Sequence, residues 1–88
     1  SWIERQIASI IYATPPQASF EEALEFFKKA NSLDKKDIRN MLYIGYCYDE
    51  LGDETAAGKW FNMAISATPE SDSDRSLQAE AKKALADL

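Results

Sequence analysis

The chain has 88 residues, ten basic and fifteen acidic, with a net charge of −5 and 45% apolar side chains. That length holds one modest hydrophobic core and no second one, so a single domain is expected. The negative balance disfavours nucleic acid, whose phosphates call for a basic surface, and no apolar run approaches the roughly 18 to 20 residues that cross a bilayer.

Periodicity and punctuation predict five helices. The first runs from about Trp2 to Ala13 with Ile3, Ile7, Ile10 and Ile11 in one stripe, and Pro15 with Pro16 stops it because neither ring extends a helix. Its apolar start carries Glu4 and Arg5 and lacks a small-residue cleavage site, so no secretion signal is in view. The chain opens at Ser1 inside a helical pattern, without a Met, and reads as a piece of something longer. Trp2 and Tyr12 lie off the isoleucine stripe, which gives this helix a second contact surface, for more of the same chain or for a ligand.

Ser19 opens the second helix, with Glu22 at capping-box spacing, and Ala23, Leu24, Phe27 and Ala30 form its apolar face until the stretch from Asn31 to Asp37 loosens the chain. The third helix spans roughly Asp37 to Leu51. Ile38, Met41, Ile44, Tyr48 and Leu51 cover one side of it, while Leu42, Tyr43, Tyr46 and Cys47 continue around it. A helix apolar nearly all round is buried on more than one side, so this one is the centre of the chain. Cys47 has no partner for a disulfide and suits a reduced, intracellular protein, as a small buried apolar residue.

Gly52 is placed to end the third helix in a left-handed conformation, and Asp53 to cap the fourth, which carries Ala56, Ala57, Trp60, Phe61, Ala64 and Ile65 and stops at Thr68 and Pro69. After a polar SDSD turn, a fifth helix from about Asp74 to Asp87 sets Leu77, Ala81, Ala84, Leu85 and Leu88 against Arg75, Glu80, Lys82 and Lys83.

Three matching pairs stand 34 positions apart: Ala23 with Ala57, Phe27 with Phe61, and Ala30 with Ala64. That is the period of the tetratricopeptide repeat, a helical hairpin that stacks on copies of itself. Ile44, Gly45, Tyr48, Ala57, Phe61, Ala64 and Pro69 fall in the order and spacing of its pattern, with Met41 in place of the opening aromatic. Gly45, Ala57 and Ala64 keep side chains short where helices touch, while Tyr48 and Phe61 fill the space between hairpins. The expected fold is therefore all-α: tetratricopeptide-like hairpins, about five antiparallel helices in an α-α superhelix. Residues 1-37 form a divergent repeat, 38-71 a well-formed one and 72-88 a closing helix.

Residues outside the generic repeat carry a narrower likeness. Trp2, Arg5, Ile7 and Ala8, the run PPxAxxEEAL from Pro15 to Leu24, and Gly45, Cys47, Tyr48, Leu51, Gly52 and Ala57 to Trp60 resemble the regulator of microtubule dynamics family over the whole chain. The resemblance implies a non-enzymatic adaptor, cytoplasmic and associated with microtubules or the spindle. It also implies an alternative, an organelle-contact or lipid-handling module at the surface of mitochondria or the endoplasmic reticulum.

In hairpins stacked this way the first helix of each pair lines the concave side. That geometry sets Arg5, Ala8 and Tyr12 beside Arg39, Leu42, Tyr46 and Asp49, with Glu80 and Lys83 from the last helix. Arg5, Tyr12, Arg39, Leu42, Tyr46 and Asp49 are the expected partner-binding residues, suited to an extended or helical peptide segment. The alternative for Tyr46 is simple packing against the next helix. Tubulin is itself acidic, so any microtubule contact must be local, and the cluster from Lys28 through Lys29, Lys35 and Lys36 to Arg39 is the candidate. Its plainer reading is a solvated helix end where Lys28 and Lys29 complement the dipole.

Catalysis and metals find little. The chain has no histidine, no GxSxG or GxxxxGK[ST] run and one cysteine, and its adjacent acidic pairs diverge by about 100 degrees on a helix. Asp72, Asp74 and Ser76 resemble the start of a calcium loop, yet Leu77 replaces the required glycine and Lys83 the closing glutamate. No cofactor or metal is expected. A lipid cavity needs more apolar wall than two hairpins supply, so Trp2, Ile10, Ile11 and Tyr12 would contribute to one only with further helices. The same first helix is the expected route to a homodimer.

Overall fold

The computed structural model describes residues 19–88, and these are all-α. Four helices, α1 (Phe20–Leu33), α2 (Ile38–Glu50), α3 (Glu54–Ser66) and α4 (Asp72–Ala86), occur among the described residues, with no strand. The helix expected from Trp2 to Ala13 lies outside them.

Each helix starts where a polar side chain takes up a backbone N–H that has no intrahelical partner. Ser19 accepts from the Glu22 amide at 3.3 Å, Asp37 from Arg39 at 2.9 Å, Asp53 from Ala56 at 3.0 Å and Ser71 from Asp74 at 3.1 Å. Between α2 and α3, Gly52 adopts a φ of 82°, the left-handed turn expected of it. That turn lets the Asp53 amide donate to Tyr48 O at 2.9 Å, closing the end of α2.

Two helix ends differ from expectation. The chain loosens from Asp34 rather than from Asn31: α1 continues to Leu33, because nothing in Asn31–Ser32–Leu33 breaks a helix, and Ser32 Oγ donates back to Lys29 O at 2.6 Å. At the other end α4 begins at Asp72 rather than Asp74, since Ser71 is the cap and the SDSD run is already helical. The Asp72 and Asp74 carboxylates then stand in the first turn, where the helix dipole favours them.

The starts of alternate helices keep one period. Phe20 and Glu54 are 34 residues apart, and so are Ile38 and Asp72. Consecutive helices pack together across short turns, as antiparallel neighbours do, and α2 also packs on α4. The core lies around α2, which buries Ile38, Met41, Leu42, Tyr43, Ile44, Gly45 and Cys47 and so meets the expectation for a helix apolar nearly all round.

The echoed side chains sit at equivalent places. Ala23, Ala57, Phe27, Phe61 and Ala64 are buried and Ala30 is half-buried. Phe27 meets Tyr43 edge to face at 5.0 Å between centroids, and Phe61 meets Tyr46 at 5.4 Å. Phe61 is also why position 45 is glycine. A β-carbon there would fall 2.6 Å from Phe61 Cδ1, well inside carbon–carbon contact distance, so α2 and α3 approach as closely as they do only because it is absent.

Candidate functional site

The expected binding face divides when placed on the helices. Arg5 and Tyr12 lie outside the described residues. Arg39 is exposed in the first turn of α2, and Asp49 is exposed near its end. Leu42 is a correction: it is fully buried, a member of the core, so a partner cannot reach it. Stacked-hairpin geometry sets Leu42 on the concave side with Arg39 and Tyr46, but α2 is enclosed at that position.

Tyr46 and Glu80 are the two positions brought into contact. The Tyr46 hydroxyl donates to Glu80 Oε2 at 3.3 Å, joining α2 to α4 across a separation of 34 residues, while the ring stands edge-on to Phe61. Tyr46 is half-buried, so its packing role is established and its outer edge still contributes to the surface. Burial pushes the Tyr43 hydroxyl above its usual range, Arg39 opposes that, and Glu80 and Asp37 add to it. Charges from the start of α2 and the middle of α4 therefore act on one neighbourhood, with Lys83 exposed one turn further along α4.

Lys28 and Lys29 do not complement a helix end. Since α1 runs on to Leu33, its last turn holds no basic residue, and the Lys28 ammonium lies 5.3 Å from the centre of the Tyr48 ring. Lys35 and Lys36, in the turn before α2, are exposed and border an open concavity of about 380 Å³ together with Met41, Ala67, Thr68 and Glu70. Cys47 is buried, and burial, with Glu50 adding, pushes its thiol up to about 12.

Two features escaped the sequence. Gln78 Nε2 donates to Ala64 O, Ile65 O and Ala67 O at 3.1, 3.2 and 2.7 Å, tying the end of α3 to α4, but a glutamine on an amphipathic helix looks merely solvated. Phe26 and Leu33 are 61% and 82% exposed on α1. They were legible, since both fall off the stripe formed by Ala23, Leu24 and Phe27.

The family model for regulator of microtubule dynamics protein 1-3 matches residues 1–88. Regulator of microtubule dynamics protein 1 of Rattus norvegicus is 33% identical over 88 residues, covering 99% of this chain and 28% of the relative. Protein 2 of the same organism is 30% identical, covering 100% of this chain and 22% of the relative, and protein 3 is 37% identical over 65 residues, covering 73% and 14%. The chain thus spans less than a third of the curated relatives it matches. No solved structure matches it.

Proposed function

The chain belongs to the regulator of microtubule dynamics family, and from that premise we propose that it is a non-enzymatic interaction module in a microtubule-related protein. The observation that carries the reading is the Tyr46–Glu80 contact. It sets the α2 and α4 faces side by side at the repeat spacing, so that Arg39, Asp49 and Lys83 can be presented together on a fixed frame. The divergent repeat at 1-37, the well-formed repeat at 38-71 and the closing helix at 72-88 are the units we assign to this frame, in a tetratricopeptide-like stack. The reading without catalysis is supported by Cys47, whose buried thiol stays protonated and out of reach.

The partner is a protein, with the microtubule as first candidate, in the cytoplasm and on microtubules or the spindle. A net charge of −5 gives no long-range attraction to acidic tubulin, so Lys35, Lys36 and Arg39 make the contact locally. The lipid-handling and homodimer readings depend on Trp2, Ile10, Ile11 and Tyr12, outside the described residues, and no observation on α1 to α4 favours them.

Cosedimentation with purified microtubules tests the proposal. Replacing Lys35, Lys36 and Arg39 together by alanine should weaken pelleting while the chain stays folded, because all three side chains lie outside the core. Tyr46→Ala is a poor probe, since removing the ring opens a space beside Phe61. Unchanged pelleting of a folded triple variant removes the microtubule contact from this patch.

A further inference from the structure

The concavity between the α1–α2 turn and the α3–α4 turn contains a hydroxyl that the functional reading does not use. Thr68 is exposed there, after Ala67 at the end of α3 and immediately before Pro69, in a segment with extended backbone at Ala67 (φ −70°, ψ 154°). Proline fixes its own φ and disfavours the helical region for the residue before it, so Thr68, which lies outside α3, is biased toward the extended form that a protein kinase's peptide groove accepts. A threonine followed directly by proline is the dipeptide of proline-directed kinases. The sequence holds two such dipeptides, Thr14–Pro15 and Thr68–Pro69; the second lies on the described residues and opens on the concavity that Lys35 and Lys36 also line.

We infer that Thr68 is a phosphorylation site whose phosphate is received by Lys35 and Lys36. A kinase would transfer the terminal phosphoryl group of a nucleoside triphosphate to Thr68 Oγ1: the new O–P bond forms, the bond to the diphosphate breaks, the diphosphate leaves, and the hydroxyl proton goes to solvent. The product carries close to two negative charges and three acceptor oxygens, which two ammonium groups on the facing turn can pair. Glu70 shares the wall and Asp34 accepts from the Lys36 amide at 3.2 Å, so the local field is mixed before modification and the phosphate draws the lysines inward against those carboxylates. The two turns, now bordering an open space, become cross-linked by charge. If Lys35 and Lys36 serve the microtubule contact, the modification withdraws them from it; that consequence rests on the functional reading, and the site itself does not.

The test uses the full chain, a proline-directed kinase with ATP, peptide mapping and phosphorus NMR titration. Phosphate should enter at Thr68, and Thr68→Ala should lose that incorporation. The second phosphate pKa, about 6 in a free peptide, should fall by about 0.3 to 0.7 unit in the folded chain and return to the peptide value in the Lys35→Ala, Lys36→Ala variant. Failure to modify Thr68 under conditions that modify the isolated 66–72 peptide overturns the site. Modification with a phosphate pKa that is the same in both chains overturns the role of the lysines. Neither result depends on microtubule binding, so it stands apart from the cosedimentation outcome.

Discussion

Replacing Gly45 by alanine should destabilise the chain, although alanine is the better helix former. In the interior of a helix the change alone gains about 0.5 to 1 kcal/mol. Against it, the added methyl would lie 2.6 Å from Phe61 Cδ1 and 3.1 Å from Cζ, and nearer still to Cε1. Phe61 has no exposed surface and stands edge-on to Tyr46, so the ring has nowhere to turn and the two helices must part. Overpacking of that kind costs about 1 to 3 kcal/mol, and with a contact this short the upper half of the range applies. The net loss is then about 1 to 2.5 kcal/mol. Gly58 supplies the control: a β-carbon there meets Leu85 Cδ1 and Leu88 Cδ1 at 3.6 Å, ordinary contact, so Gly58→Ala should gain about 0.5 to 1 kcal/mol. Urea unfolding followed by far-UV circular dichroism measures both. The helix-propensity gain is common to both, so the two variants should differ by about 2 to 3 kcal/mol, or about 8 to 24 °C in melting temperature at this size. A Gly45→Ala chain as stable as Gly58→Ala would refute the reasoning, as would a penalty that persists unchanged when Phe61 is also shortened to leucine.

Gln78→Ala should cost about 1 to 2 kcal/mol by thermal melting, since three carbonyls at the end of α3 lose their donor; Gln78→Glu should cost at least as much, because a carboxylate cannot donate to them. Tyr46→Phe keeps the edge-to-face contact and loses only the hydroxyl, so a thermal-melting change larger than about 3 kcal/mol would mean that the Glu80 bond does more than a single neutral-to-charged contact. Cys47 should react with thiol reagents only as the chain unfolds. With the thiol near 9 when unfolded and about 12 when folded, its share of stability is complete below pH 9 and lost as pH rises toward 12, so Cys47→Ala should flatten the alkaline limb of a stability profile.

What could be read in advance was local chemistry. Ser19, Asp53 and Gly52 declare helix ends through groups within three residues of themselves, and the structure has each in the expected role. The all-round apolar character of α2 likewise announced the buried centre. Errors came where one local signal had to outrank another: the polar run after Pro69 looked like a turn, yet Ser71 as a cap makes the acidic residues behind it favourable helix formers. The Tyr46–Glu80 contact was legible only in part. Stacked-hairpin geometry puts both residues on one face, but a tyrosine and a glutamate do not match at the repeat period, so nothing in the residues themselves marks a hydrogen bond between them. Leu42 shows the same limit, because a helix wheel assigns a side to a residue without saying how many neighbours enclose that side.

The packing of α2 on α1, α3 and α4 also bears on how the chain reaches its fold. The turns that join these helices are short, so the loops closed by neighbouring pairs are small and their entropy cost is low. Such topologies fold in microseconds to milliseconds. The longer closure is that of α2 with α4, which spans the whole of α3, and its entropy cost is higher unless α3 docks first. With α4 docking late on that account, a variant that loosens it should speed unfolding more than it slows folding.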